Sequence, residues 1–407
     1  MNINVDRMKR RFQQLNKIGR SHGGGINRLA LTDTDKEARD LFLAWLKELD
    51  LELQWDDLGN IYGVKPGVDD SLKPILIGSH LDSVPDGGAF DGVLGVLTGL
   101  EVIETLKENQ ISHRFPVGVV NFTNEEGARF PIPMTASGVL SSIYPKEKMY
   151  HLHDENGDTI EQELQRIGFQ GKEKNRITDL EAFLELHIEQ GPVLEEKGAH
   201  IGIVDGIQGL SWQTISVYGE ADHAGPSPMS YRKDAGIAAM RAMLSIHDWV
   251  NHLNDGTLVT FGKIQTIPDT INVIPGGSKF SLDIRHPDNN VLLKRQEECL
   301  KRINDIITLE GCSWDHESLS YMAPVSFHPP FVKELEQICR NNDYAYQTVT
   351  SGAGHDAMHM NQLAPAVMVF VPSINGKSHN KEEVSRWEDI GPAVDVIYEW
   401  IVQYNKI

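Results

Sequence analysis

The hydrophobic residues of the chain follow two different patterns. From Asp33 onward, apolar residues recur every three or four positions, which predicts an amphipathic helix capped by Thr32 or Asp33. Short, nearly continuous apolar runs are typical of buried strands, and they lie at 74–78, 116–123, 182–188 and 366–371. Apolar segments at 93–106 and 387–404 predict further helices. Because strands and helices alternate, we expect an α/β domain with a mixed, mostly parallel sheet flanked by helices.

A different rhythm occupies the middle of the chain. The pattern there predicts strand, helix, strand, strand, helix and strand, at 212–218, 234–253, 257–265, 279–285, 289–309 and 313–321. This order is the split arrangement of a small α+β ferredoxin-like domain. We therefore predict that residues 211–323 form an inserted domain, and that residues 1–210 and 324–407 together form one discontinuous domain.

Composition and charge narrow the class of protein. The 407 residues include 38 Lys and Arg against 58 Asp and Glu, so the net charge is −20 with neutral histidine. That field repels nucleic acids and anionic membrane surfaces, and we expect neither as a partner. The start lacks the apolar core of a signal peptide, which favours a cytoplasmic location. Three cysteines without paired spacing suggest neither a disulfide framework nor a thiolate metal site.

Acidic and histidine residues lie at or just beyond the ends of the predicted buried strands of the larger domain. They are His80 and Asp82, Glu125 and Glu126, Glu185 and His187, and His379. The carboxyl ends of strands are where open α/β sheets place their ligands. Each cluster alone is as readily a polar turn or a solvated strand end. Four clusters at one sheet edge supply the oxygen and nitrogen ligands of two divalent ions, for which Zn²⁺, Mn²⁺ and Co²⁺ all remain open.

Three of these positions carry more specific expectations. In the His80-Leu-Asp82 segment, the Asp82 carboxylate can hold the imidazole tautomer while the other ring nitrogen binds a metal. Asp91 follows a glycine turn that can fold it back toward His80, where its carboxylate can bridge two ions. Adjacent extended residues point in opposite directions, so one of Glu125 and Glu126 can ligate a metal while the other carries a proton.

Together these segments resemble the hydantoinase/carbamoylase branch of the M20 metallopeptidase family over nearly the whole chain. The motifs that carry the resemblance are His80-x-Asp82, Asp91-Gly92, Glu125-Glu126, Glu185-Leu-His187-Ile-Glu-Gln-Gly-Pro, His223-Ala-Gly-Pro-Ser-Pro-Met and Gly376-Lys-Ser-His379-Asn. The resemblance implies a catalytic domain that holds two metal ions and a smaller lid domain through which two subunits form a homodimer.

The resemblance also implies roles for individual residues in the larger domain. It assigns one metal to His80, Asp91 and His187, and the other to Asp91, Glu126 and His379. Glu125 would then be the general base. Further candidates for substrate binding are Gln190, Gly354 and His355.

In the lid, the resemblance singles out His223, Asn272 and Arg285. His223 would contact the transition state, reaching the site of the neighbouring subunit, and Asn272 and Arg285 would clamp the substrate carboxylate. A guanidinium suits that task because it can grip a carboxylate with two parallel hydrogen bonds. From the residues alone, His223 is as readily a structural loop histidine and Arg285 a surface arginine at the end of a strand.

We therefore expect a metal-dependent amidohydrolase that cleaves the carbamoyl group of a small anionic ureido acid to an amino compound, ammonia and carbon dioxide. The segment ending in Trp212 resembles hydrolases of N-carbamoyl-L-amino acids, whereas the segment from Asp283 to His286 is closer to the allantoate branch. We favour the carbamoyl amino acid narrowly. A dipeptidase or aminoacylase of the wider family predicts an acidic residue in place of His187, and a non-catalytic binding protein gives no reason for Glu125.

Overall fold

The computed structural model describes residues 2–69 and 71–406. The helices are α1 Val5–Leu15, α2 Asp33–Glu48, α3 Val93–Glu108, α4 Thr135–Leu140, α5 Lys146–Tyr150, α6 Ile160–Ile167, α7 Val193–Lys197, α8 Ala235–Leu253, α9 Asn289–Leu309, α10 Pro329–Asn341, α11 Asp356–Met360 and α12 Trp387–Tyr404. The strands are β1 Glu52–Trp55, β2 Ile61–Lys65, β3 Ile75–His80, β4 Val117–Phe122, β5 Ala182–Ile188, β6 Ile201–Ile207, β7 Gly209–Tyr218, β8 Asp222–His223, β9 Leu258–Thr260, β10 Ile264–Ile267, β11 Val273–Ile274, β12 Gly277–His286, β13 Ser313–Met322, β14 Val325–Ser326, β15 Tyr346–Ser351 and β16 Ala366–Val371.

The chain divides into two compact units. The first contains the chain up to Asp205 and from Ser326 onward, and the second spans Gly206–Val325. The sequence predicts the crossings at 210/211 and 323/324, five and two residues away from these divisions, which fall within β6 and β14.

A single large sheet forms the centre of the first unit. Its strand order is β1-β2-β4-β3-β5-β16-β6-β14, with β15 beside β6. The four central strands, β4, β3, β5 and β16, run parallel. β1 pairs antiparallel with β2, β2 with β4, and β6 with β16. Every residue of those four strands is buried, as expected for parallel strands covered on both faces. The predicted mixed, mostly parallel sheet flanked by helices is confirmed.

The parallel pairing determines where the polar segments meet. β3, β4, β5 and β16 end at His80, Phe122, Ile188 and Val371. Because parallel strands share one carboxyl edge, the loops that follow these four residues lie side by side. The helix predicted from Asp33 is α2, and its N-terminus is capped by Thr32, whose Oγ1 accepts a hydrogen bond from the backbone N–H of Asp35 at 3.2 Å.

The second unit is an antiparallel sheet covered by two helices. Its strand order is β10-β12-β7-β13, with β9 also paired to β12, and α8 and α9 pack on the sheet. The contact between these helices and the sheet buries a cluster of apolar side chains that includes Ile215, Ala238, Ile246, Leu282 and Ile303. This is the order of a ferredoxin-like domain, so the expected α+β topology is confirmed.

One predicted strand of the second unit is wrong. The segment 257–265 forms two short strands, β9 and β10, instead of one. Between them the N–H of Lys263 donates to the side-chain Oγ of Ser281 at 3.0 Å, while the N–H of Ser281 donates to the Lys263 carbonyl at 3.0 Å. A side chain thus replaces one backbone acceptor, and the regular ladder is interrupted beside Gly262.

Within residues 2–69 and 71–406, no helix combines the length and the apolar character needed to cross a membrane.

The cysteines Cys299, Cys312 and Cys339 are buried as free thiols. Burial raises the pKa of Cys299 and of Cys339 to about 12 in each case, so both remain protonated at neutral pH.

Candidate active site

Five predicted ligand residues meet at the carboxyl edge of the large sheet. Oδ1 of Asp91 lies 3.5 Å from Nε2 of His80 and 3.0 Å from Nε2 of His187. Oδ2 of Asp91 lies 3.3 Å from Nε2 of His379, which in turn lies 3.3 Å from Oε2 of Glu126. Asp91 therefore stands between two groups of ligand atoms, each contained within 4.8 Å.

Backbone carbonyls orient two of the imidazole rings. Nδ1 of His80 lies 2.9 Å from the carbonyl oxygen of Asp82, and Nδ1 of His187 lies 2.9 Å from that of Ile188. A proton on Nδ1 makes each of these hydrogen bonds, which leaves the lone pair on Nε2. Nε2 of His80 is buried without a hydrogen-bond partner among the described residues. Both rings thus present Nε2 as a metal ligand would.

The structure gives Asp82 a different contact from the expected one. Its carboxylate lies 3.9 Å from Nδ1 of His80, and its backbone carbonyl makes the close contact to the ring instead. The carboxylate accepts the backbone N–H groups of Glu125 and Glu126, each at 3.3 Å. Asp82 therefore ties the loop after β3 to the loop after β4.

The loop after β4 directs its two glutamates to different neighbours. Asn124 has a φ of 54°, and its side-chain amide donates to the carbonyls of Phe130 and Ile132, each at 3.1 Å. After this left-handed residue, Glu126 reaches His379 as described, and Oε2 of Glu125 lies 3.4 Å from Nε2 of His80. Burial and nearby carboxylates raise the pKa of Glu125 well above its ordinary value. A carboxyl group with a raised pKa is suited to proton transfer.

Gln190 lies beside the carboxylate of Asp91. Its side-chain Nε2 donates to Oδ2 of Asp91 at 2.9 Å, and its backbone N–H donates to Oγ of Ser373 at 3.0 Å. The residue has a φ of 60°, which turns the chain after β5 back over the edge of the sheet. The structure therefore brings this substrate-binding candidate to the ligand groups.

His355 and Gly354 lie on the segment that leads into α11. The ring of His355 packs on that of His187 with centroids 4.3 Å apart, and its Nε2 lies 3.2 Å from Oγ of Ser351. Burial and the neighbouring His187 lower the pKa of His355 well below its ordinary value, so the ring is neutral. A side chain at Gly354 would contact Cε of Met134 at 2.9 Å. The glycine thus permits a close approach of the backbone.

Glu383 is a buried residue of the site that the sequence did not identify. Oε1 accepts hydrogen bonds from the backbone N–H groups of Phe90 and Asp91 at 2.9 and 3.1 Å, and Oε2 accepts one from the hydroxyl of Ser378 at 3.1 Å. It follows Glu382 in a polar run that looks like a solvated loop. Only the contact with the loop of Asp91, distant in sequence, distinguishes the two glutamates.

In the second unit, His223 lies in a small sheet that the sequence did not predict, and Asn272 directly precedes its second strand. β8 pairs with β11, so His223 lies opposite Val273, and the N–H of Ala224 donates to the carbonyl of Asn272 at 3.0 Å. The N–H of Gly225 donates to Nδ1 of His223 at 3.0 Å. Because Nδ1 is the acceptor, a neutral His223 carries its proton on Nε2 and can donate from there.

Arg285 lies on β12 of the same unit and forms an ion pair with Asp283. Its Nε and Nη2 lie 3.2 and 3.1 Å from Oδ2 of Asp283. Trp212 is opposite Asp283 on β7, and its side chain is 42% exposed. One sheet face thus presents an oriented guanidinium next to an exposed indole, and Asp283 is a partner that the sequence did not indicate.

The chain is similar to known proteins along nearly its whole length. Residues 76–403 match peptidase family M20/M25/M40. The N-carbamoyl-L-amino-acid amidohydrolase of Rhizobium meliloti is 37% identical over 407 residues, which cover 100% of this chain and 97% of that protein. The allantoate amidohydrolase of Escherichia coli K12 is 32% identical, with 94% of each chain covered. The crystal structure of a hydantoinase/carbamoylase family amidase from Burkholderia multivorans has a TM-score of 0.94 and 38% identity, covering 99% of this chain and 98% of that chain.

Proposed function

Because the chain belongs to peptidase family M20/M25/M40, in its hydantoinase/carbamoylase branch, we propose that it hydrolyses the carbamoyl C–N bond of an N-carbamoyl-L-amino acid. The enzyme is an amidohydrolase that acts on non-peptide C–N bonds. The observation that carries the proposal is the position of Asp91, whose two carboxylate oxygens face different histidines, with the buried Glu125 beside them.

The residues fit two divalent metal ions. His80, Asp91 and His187 would hold one ion, and Asp91, Glu126 and His379 the other. The buried Nε2 of His80, which has no hydrogen-bond partner among the described residues, supports the first position. Nitrogen and oxygen ligands without thiolates suit Zn²⁺, Mn²⁺ or Co²⁺. When bound, such ions acidify a water molecule and polarise a carbonyl group.

The side chains around these positions supply the proton transfers. Glu125 takes a proton from the attacking water and returns it to the departing nitrogen, a role that its raised pKa favours. The Nε2–H of His223 donates to the oxyanion that develops on the ureido carbonyl. Cleavage releases ammonia and a carbamate, which decomposes to the amino acid and carbon dioxide.

The face that carries Arg285 supports an anionic substrate. Asp283 holds Nε and Nη2 of the guanidinium in a fixed orientation, from which Arg285, with Asn272, binds the substrate carboxylate. The exposed Trp212 opposite Asp283 supplies an apolar surface instead of a second cation. This favours a carbamoyl amino acid with an apolar side chain. Allantoate, the substrate named for the relative from Escherichia coli, is the second candidate.

The second unit also has the features of a homodimer interface. The edge strand β10 exposes Ile264 and Ile267, and α8 exposes Ile237, Met240 and Leu244. An edge strand beside an apolar helix face can pair with the same surface of a second copy about a two-fold axis. We therefore propose a homodimer through this unit. The cytoplasmic location stays a prediction.

A substrate panel tests the proposed function. Ammonia release is measured with N-carbamoyl-L-amino acids, their D-enantiomers and allantoate, and release of free amino acids is measured with dipeptides. We expect the L-compounds to react faster than allantoate and the D-compounds to be inert. Allantoate reacting faster than the carbamoyl amino acids would establish the second candidate, and activity on dipeptides alone would refute both.

The same assay tests the metal requirement. A chelator should abolish turnover because the attacking water would lose its acidifying ions, and Mn²⁺, Co²⁺ or Zn²⁺ should restore it. Elemental analysis verifies the metal-free state. Full activity in verified metal-free enzyme would refute the mechanism.

A further inference from the structure

Glu383 joins two loops that are far apart in sequence. Its Oε1 accepts the backbone N–H groups of Phe90 and Asp91, and its Oε2 accepts Oγ of Ser378, the residue next to His379. Ser378 Oγ also lies 3.2 Å from Oδ2 of Asp91. One buried carboxylate thus fixes the backbone of the bridging aspartate and the segment that carries His379.

The surrounding chain is shaped to admit this carboxylate. A Cβ atom at Gly88 would overlap the carboxyl group of Glu383, so only glycine leaves room for it there. Glu383 itself is only 3% exposed. Such a contact between a glycine turn and a buried, hydrogen-bonded carboxylate orients the loop more strongly than a surface ion pair does.

The two groups of ligand residues differ in how the rest of the chain holds them. The side chains of His80 and His187 are 1% exposed, and backbone carbonyls hold their Nδ1 atoms. The side chain of His379 is 50% exposed, and the residue lies at a φ of 52° in the loop after β16. The placement of His379 therefore depends on the neighbouring contacts of its loop, among which are those of Ser378 and Glu383.

We propose that Glu383 is a positioning residue that assembles the Asp91–Glu126–His379 metal position by fastening the loop of His379 to that of Asp91. The inference rests on the proposed function, since it requires that function's two metal ions. His80 and His187 are held by other contacts, so Glu383 acts on the His80–Asp91–His187 position only through Asp91, which both positions share. Loss of Glu383 should therefore weaken the Asp91–Glu126–His379 position more than the other.

Metal binding measures this difference without reference to turnover. Wild type, Glu383→Ala, Glu383→Gln and Ser378→Ala are stripped with a chelator, dialysed against buffered Mn²⁺ and analysed for bound metal per chain. A matched control is Glu101→Ala, which removes another buried carboxylate of the first unit. Glu101 accepts the N–H of Asn4 at 2.7 Å and Nε of Arg7 at 2.8 Å.

We expect two ions in the wild type and in the Glu101→Ala control, although the control is less stable to heat. In Glu383→Ala, the dissociation constant of one ion should rise about 10–100-fold, as is usual when a residue that supports a ligand is removed, and that of the other ion should rise less. In Glu383→Gln, the dissociation constant of the more weakly bound ion should lie between the values for the wild type and Glu383→Ala, because an amide oxygen can still accept hydrogen bonds from the two N–H groups. Ser378→Ala should weaken the same ion.

The other possible outcomes distinguish failure of the positioning role from failure of the proposed two-metal function. Two ions bound by Glu383→Ala and Glu383→Gln with wild-type affinity, or equal weakening of both ions, would overturn the positioning role alone. Fewer than two ions in the wild type would refute the two-metal function and the positioning role with it. If Glu383→Ala does not fold, Glu383→Gln and Ser378→Ala decide by the same criterion.

Discussion

Glu125 and His80 are brought together from the ends of neighbouring strands, with Oε2 of Glu125 3.4 Å from Nε2 of His80. The adjacent Glu126 reaches His379 instead. The left-handed turn at Asn124 thus separates two chemically identical side chains into different surroundings. We expect them to have different functions, and this separation can be tested by substitution.

Replacing Glu125 with glutamine should remove the proton carrier and leave the rest of the site in place. The amide is nearly isosteric but cannot take up a proton, so kcat should fall about 10²–10⁴-fold while KM and metal content stay unchanged. Steady-state kinetics and elemental analysis give both quantities. Glu126→Gln is the matched control and should lose bound metal. Loss of metal from Glu125→Gln would reassign Glu125 as a ligand.

Arg285→Lys should impair substrates that carry a carboxylate. Lysine keeps the charge but not the two parallel hydrogen bonds, so kcat/KM should fall roughly ten-fold or more. Amide analogues of the same substrates should already react poorly with wild type and change little in the variant. Arg302→Lys is a control within the second unit. The guanidinium of Arg302 lies 4.3 Å from the ring centroid of Trp249. Equal losses on acid and amide substrates would remove Arg285 from carboxylate binding.

If His223 acts in the site of the other subunit, inactive variants should complement each other. Mixing Glu125→Gln with His223→Ala subunits should recover part of the activity, because every mixed dimer then contains one site with both wild-type residues. Differently tagged subunits allow the mixed dimer to be purified before the assay. An inactive mixed dimer would restrict His223 to its own subunit or exclude it from catalysis.

Acid should destabilise the fold through His359. Burial lowers the pKa of His359 to about 4, from 6.5 in an unfolded chain. Between these values the unfolded chain binds a proton that the folded one does not, so stability falls as the pH falls from 6.5 toward 4. From pH 7.5 to 5 this contribution to the free energy of unfolding decreases by about 2 kcal/mol. Urea unfolding of His359→Gln should show a pH dependence smaller by that amount, and an unchanged dependence would contradict the assignment.

The sequence predicts well that the candidate ligand residues come together, because they lie at the ends of strands. His80, Glu126 and His187 adjoin continuous apolar runs, and parallel pairing brings the carboxyl ends of such runs to one edge. That placement follows from periodicity before any distance is known.

The contacts of Asp82 and Glu383 depend on tertiary structure and could not be predicted in the same way. The hydrophobic pattern of the sequence does not determine whether the ring of His80 contacts the carbonyl or the carboxylate of Asp82. Glu382 and Glu383 are alike in sequence, and only the fold buries one of them. For the same reason, the interruption between β9 and β10 arises from a Ser281 contact that lies across the sheet.

The place of β16 in the sheet has a consequence for synthesis of the protein. β16 lies between β5 and β6, although both of these strands are complete by Ile207 and β16 begins only at Ala366. On the ribosome, the two strands emerge long before the strand that joins them. Until then each has an edge of unpaired backbone groups, which can pair with other chains. The rate of translation and the supply of chaperones, more than the final stability, should therefore set the yield of folded enzyme.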